Sequence, residues 1–134
     1  MNANADLPLQ GVRILVAEDD AILAVNLGII FQRAGAEIFG PALTLPHTLA
    51  LAQAAPINAA VLDITLRDED VFPAAHVLKG RGIGIVFYTG YAAVGQLRRE
   101  WPQSQVLAKP APERLLVEAV LQALVSGANA AAAS

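Results

Sequence analysis

Five short apolar runs recur along the chain, over residues 12–17, 36–39, 59–62, 83–88 and 105–108, and each precedes a segment of helical pattern. Most are nearly continuous and rich in Val and Ile, as expected for strands buried on both faces of a parallel sheet. The intervening segments predict helices over 20–34, 43–55, 70–79, 93–101 and 112–125. Gly35 and Gly80 follow two of these as stops, Pro46 fits only a first turn, and Pro102 ends the fourth. Asp70 is a candidate N-cap after a polar loop at 67–70, and Gly40-Pro41 reads as a turn. A strand followed by a helix, five times over, forces a sheet with helices on both faces and right-handed crossovers. The expected fold class is therefore α/β, a doubly wound five-stranded parallel sheet in the flavodoxin-like order 2-1-3-4-5.

The 134 residues suffice for one domain, and 55% apolar against 16% charged residues is a globular composition. A net charge of −3 argues against nucleic acid or an anionic membrane as partner. The lack of cysteine excludes disulfides, thiolate chemistry and a zinc finger. No apolar run approaches the ~20 residues of a membrane span. The first six residues show no cationic segment ahead of an apolar one, so a cytoplasmic protein is expected. The expected organisation is an N-terminal extension over 1–11, a domain over 12–126 and an Ala-rich, weakly ordered tail over 127–134.

Chemistry enters at the strand ends. Glu18-Asp19-Asp20 follow the first run, Asp63 the third, Thr89-Gly90 the fourth and Lys109-Pro110 the fifth. In an open parallel sheet the C-terminal strand ends share one crevice, widest where the strand order reverses. Taken singly, each residue has an ordinary reading: acidic residues complement a helix dipole, and Lys109 is a surface lysine. Together they predict converging carboxylates, which suit a hard cation such as Mg²⁺, and a lysine placed for phosphate. Asp20 is assigned to capping the first helix and not to a metal.

These motifs resemble the receiver domain of two-component response regulators over about residues 12–125. The resemblance implies that Asp63 accepts a phosphoryl group from a histidine kinase. It implies that Glu18 and Asp19 hold Mg²⁺ together with Asp63, the Thr65 carbonyl completing the site. Thr89 matches the hydroxyl that bonds the phosphoryl group, and Lys109 the phosphate-binding lysine. Such a chain would signal to a downstream protein by contact, as adaptor, phosphorelay intermediate or phosphate sink, with no enzymatic activity beyond its own phosphoryl transfer and autodephosphorylation.

The chain also departs from the family. The loop 64–70 lacks the Met-Pro and Asp-Gly common after the phospho-acceptor, and Val106 stands where an aromatic switch residue is usual. Phe87-Tyr88-Thr89-Gly90-Tyr91 is similar to the Phe-Ala-Thr-Gly-hydrophobic-Tyr motif of an alphaproteobacterial single-domain subgroup, with Tyr88 in place of its Ala and Ala92 in place of its final Tyr. Tyr91 then becomes a candidate switch, or else packs on the fourth helix. The 20 residues from Thr89 to Lys109 leave little room for a long fourth helix.

The first helix carries two apolar stripes at ~100° per residue. Leu23, Leu27, Ile30, Phe31 and Ala34 should face the sheet, whereas Ile22, Val25 and Ile29 lie nearly opposite. The second stripe is either a set of tolerated exposed aliphatics or a docking or homodimer surface. His47 and His76 fall in no ligand or phosphotransfer pattern, and Trp101 reads as a helix-end packing residue. Two other functions share this topology. A small Mg²⁺-dependent aspartyl-phosphate phosphatase or phosphotransferase would place a second Asp where Thr65 stands. A flavin carrier would have a hydroxyl-rich first loop instead of an acidic one.

Overall fold

The computed structural model describes residues 7–133, with side chains through 127. In chain order the elements are β1 (Arg13–Ala17), α1 (Ala21–Arg33), β2 (Glu37–Ala42), α2 (Leu45–Ala54), β3 (Ala59–Leu62), β4 (Thr65–Leu66), β5 (Glu69–Asp70), α3 (Phe72–Gly80), β6 (Gly84–Thr89), α4 (Val94–Glu100), β7 (Gln105–Ala108) and α5 (Glu113–Ala133). The main sheet is parallel with order β2-β1-β3-β6-β7, which is the expected 2-1-3-4-5 once the short β4–β5 pair is set apart.

Alternation along each strand divides the core between the two faces. Leu15, Ala60, Leu62, Ile85 and Phe87 pack with Ala52 of α2, Leu78 of α3 and Leu97 of α4. Ile14, Val16, Val61, Val86 and Tyr88 pack with Leu27 and Phe31 of α1 and Leu116 and Val120 of α5. Trp101 closes the first core at the end of α4, stacked 5.9 Å from Phe72 and edge-on to Phe87, with the His76 ring 4.9 Å away. His47 is exposed.

Local chemistry sets the helix ends. Asp20 caps α1, its Oδ1 accepting from Ile22 N at 3.0 Å and Leu23 N at 3.1 Å. Thr44 caps α2, with Pro46 in the first turn. The cap of α3 is Val71, not Asp70, although Asp70 Oδ1 accepts from Phe72 N at 3.0 Å. A 3₁₀ turn at Tyr91–Ala93 precedes α4, which has only 7 residues.

Four segments differ from the expectation. β2 continues through Gly40-Pro41 to Ala42, where a turn was expected. It is an edge strand, so the missing proline N–H costs no ladder bond, and Gly40 supplies a φ of +101°. The polar loop at 67–70 is instead the tip of the β4–β5 hairpin, with Arg67 and Asp68 at φ 47° and 69°. Positive φ at both central residues is the primed two-residue turn, but Arg-Asp lacks its usual Asn-Gly signature. Residues 7–11 join the domain: Leu9 is fully buried and its N–H donates to Ala34 O at 2.8 Å.

At the other end, α5 does not stop at 125 but continues to Ala133. It lies directly on the start of β6. A Cβ on Gly84 would stand 1.9 Å from Ala123 O, and one on Gly127 would stand 2.7 Å from Gly84 N. This packing needs glycine on both partners, which an Ala-rich composition does not announce. Residues 1–6 and Ser134 lie outside the described residues.

Gly84→Ala is expected to lower unfolding stability by about 3 kcal/mol, the upper end of the cost of overpacking, because the obstruction is helix backbone. Denaturant titration against wild type measures it, and a loss within error would show that α5 can move away freely.

Candidate metal and phosphoryl site

Four of the five parallel strands bring the sequence-predicted residues to one edge of the sheet. Glu18 and Asp19 leave β1, Asp63 leaves β3, Thr89 ends β6, and Lys109 follows β7. Backbone bonds hold these exits together: Glu18 N donates to Ala42 O, Asp63 N to Ala17 O, and Lys109 N to Thr89 O at 2.7 Å. Glu18 is buried at 2% exposure, whereas Asp19 and Asp63 are partly open.

Lys109 is the hub. Its Nζ donates to Asp63 Oδ2 at 2.6 Å and to Glu18 Oε2 at 2.8 Å. Thr89 Oγ1 donates to the other Asp63 oxygen, Oδ1, at 3.1 Å. Glu18, Asp19 and Asp63 each offer a carboxylate oxygen within 4.8 Å of the others. One ammonium therefore faces three carboxylates. That donor set, all hard oxygen and short of positive charge, fits a divalent cation of the Mg²⁺ class.

The same imbalance appears in the acidities. Burial, with the neighbouring Asp63 charge, raises the Glu18 pKa from 4.5 to about 7, even though the bond from Lys109 acts to lower it. Burial works against the Lys109 charge, but its bonds to Asp63 and Glu18 more than offset this and hold its pKa above the ordinary lysine value.

The other sequence-predicted residues contribute no side chain to this cluster. Thr65 opens β4 two residues beyond Asp63, with its side chain exposed. Val106 is buried in the core and pairs in register with Phe87. Tyr91 is 83% exposed, so it does not pack on α4. Ile22, Val25 and Ile29 are exposed at 77%, 56% and 43%, so the second stripe of α1 is a real apolar surface.

Two contacts lay beyond the sequence reading. Arg67 N donates to Asp19 Oδ2 at 2.9 Å, joining the β4–β5 turn to the acidic cluster through a main-chain group that any residue supplies. Tyr88, buried between β6 and α5, accepts from Ala111 N at 2.9 Å, and its ring centroid lies 5.8 Å from Lys109 Nζ. The substitution of Tyr88 for the alanine of the similar motif was the one hint of it.

No protein-family model and no curated protein sequence matches the chain. Solved structures do. A response regulator receiver protein from Sinorhizobium medicae is 28% identical with a TM-score of 0.78, over 89% of this chain and 98% of that one. SdrG from Sphingomonas melonis is 29% identical with a TM-score of 0.74, over 84% and 96%. A CheY-like receiver domain protein from Methanospirillum hungatei, 24% identical, aligns at a TM-score of 0.73 over 88% and 97%. The fold is that of a response regulator receiver domain. In this chain Glu18, Asp19 and Asp63 form the acidic cluster at one edge of that sheet. Among the described residues no helix is long and apolar enough to cross a membrane.

The raised Glu18 pKa means that the folded chain binds this proton more tightly than the unfolded chain does. Its stabilisation is complete below about pH 4.5 and is lost as pH rises through about 7. In a chelator the unfolding free energy should therefore fall by ~3 kcal/mol across that window. Glu18→Gln should remove most of the slope and saturating Mg²⁺ should flatten it. Equal pH profiles for wild type and Glu18→Gln would show that Glu18 is not the strained group.

Proposed function

We propose that this chain is a phospho-accepting signalling module: Asp63 takes a phosphoryl group from a histidine kinase with Mg²⁺ bound, and the product is read by protein contact. The observation that carries the reading is the environment of Asp63. Each of its oxygens accepts a bond from a different donor, Thr89 Oγ1 and Lys109 Nζ, beside two further carboxylates.

Phosphoryl transfer needs an in-line nucleophile and neutralised charge more than covalent assistance. An Asp63 oxygen attacks phosphorus, the new P–O bond forms as the P–N bond to the donor histidine breaks, and the imidazole leaves with that electron pair. Lys109 and Thr89, released from the free carboxylate, donate to the phosphoryl oxygens. Glu18, Asp19, Asp63 and the Thr65 carbonyl would hold Mg²⁺, which when bound offsets the charge of the incoming phosphoryl group. Lys109 cannot do this alone, since it already faces an excess of carboxylate.

The exposed Ile22, Val25 and Ile29 belong to the helix that Asp20 caps beside the acidic cluster. A phosphodonor protein reaching Asp63 passes over the start of this helix, which supports an apolar docking face there.

Incubation with acetyl phosphate and Mg²⁺ should add one phosphoryl mass, lost in Asp63→Asn and on chelation. Turnover of a small phosphoester with no adduct would favour a phosphatase instead. Ile29→Glu should leave the acetyl phosphate reaction unchanged and slow transfer from a phosphorylated histidine kinase by about tenfold, the effect of roughly 1.4 kcal/mol of lost contact. Equal kinase-driven rates would remove α1 from the docking face.

A further inference from the structure

The contacts of Tyr88 exceed what a core position requires. Its neighbours in β6, Val86 and Phe87, are purely apolar core residues. Tyr88 is also buried, at 3% exposure, yet it carries a hydroxyl there. A buried hydroxyl without a partner is costly, so its bond must be specific. The partner is the main-chain N–H of Ala111, at 2.9 Å. Ala111 lies two residues past Lys109, in the bend between β7 and α5. The same ring presents its face 5.8 Å from Lys109 Nζ. One side chain thus fixes the backbone that carries Lys109 and also lines the path of its ammonium.

The rest of the Lys109 environment makes this tether useful. Lysine is a flexible point charge on a four-carbon stem and loses rotamer freedom when held in one place. Before it, the backbone is fixed by the β6–β7 ladder and by Lys109 N bonding Thr89 O at 2.7 Å. After it, Pro110 has no N–H to donate, so Ala111 N is the first main-chain donor available to anchor the bend. Beyond that, α5 begins at Glu113. A ring face at this distance also attracts the ammonium.

We propose that Tyr88 is a positioning residue for Lys109: through the Ala111 bond and its ring face it holds the ammonium at the Asp63 side of the crevice. The Tyr88 hydroxyl bonds Ala111 N and not Asp63, Glu18 or Asp19. The inference rests on the phospho-acceptor reading of Asp63 and adds a determinant specific to this chain, since the similar motif has alanine there.

Tyr88→Phe removes the hydroxyl and keeps the packing, and Tyr88→Leu removes the ring as well. With acetyl phosphate at saturating Mg²⁺, Tyr88→Phe should slow Asp63 phosphorylation about 3–10-fold, as expected for one lost hydrogen bond. In a Lys109→Ala background the same change should have no further effect, whereas a merely structural role would slow both backgrounds equally. An unchanged rate or additive losses would each overturn the proposal. Side-chain NMR of Lys109 reads it without phosphorylation: ring-current shifts of the lysine methylenes should change in Tyr88→Phe and vanish in Tyr88→Leu. Identical Lys109 spectra in all three proteins would overturn the proposal even if wild type is phosphorylated. A wild type that takes up no phosphoryl group but shows these NMR changes would instead remove the phospho-acceptor reading and leave the positioning role standing.

Discussion

One ammonium, Lys109 Nζ, bridges a buried glutamate and a half-buried aspartate, and much of the molecule is arranged around that contact. Two carboxylates this close repel strongly in a medium less polar than water. Lys109 offsets that repulsion by donating to both carboxylates. Burial, with the neighbouring Asp63 charge, still keeps Glu18 reluctant to ionise, and the cluster, short of positive charge, suits a cation. The fold tolerates this strain at the rim because the rest of the sheet is apolar on both faces.

The geometry behind the contact is a consequence of parallel winding. Parallel strands end on the same side, so residues as distant as Glu18 and Lys109, 91 positions apart, meet without any long excursion of the chain. The crossover helices supply the two apolar layers that hold β1, β3 and β6 in register. Main-chain bonds at the exits then set the height of each side chain, as with Lys109 N on Thr89 O and Asp63 N on Ala17 O. Precision at the site comes from the sheet, and the loops add trim: the β4–β5 turn reaches Asp19, and Tyr88 reaches Ala111.

How a phosphorylated Asp63 would be sensed elsewhere is constrained by two side chains. Val106, buried against Phe87, has no polar end to follow a moving Thr89. Tyr91 stands in solvent, free of α4. The other aromatic beside Thr89, Tyr88, is buried with its ring 5.8 Å from Lys109 Nζ.

The strands and their order were legible because buried parallel strands need near-continuous apolar runs, and 59–62 and 105–108 appear in the fold with the bounds read from sequence. The acidic and basic residues at the strand ends were legible for the same reason, since a strand boundary fixes where its next residue must emerge. The features decided in three dimensions are those carried by main-chain groups or by close approach. Arg67 bonds Asp19 through its N–H, Leu9 is buried by α1 and the sheet, and α5 runs on to Ala133 because Gly84 and Gly127 let it lie on β6. The sequence by itself determined which side chains reach the crevice, because strand periodicity is local. Only the tertiary structure decided how they share one lysine and what holds that lysine in place, because those depend on distances between segments that no local pattern records.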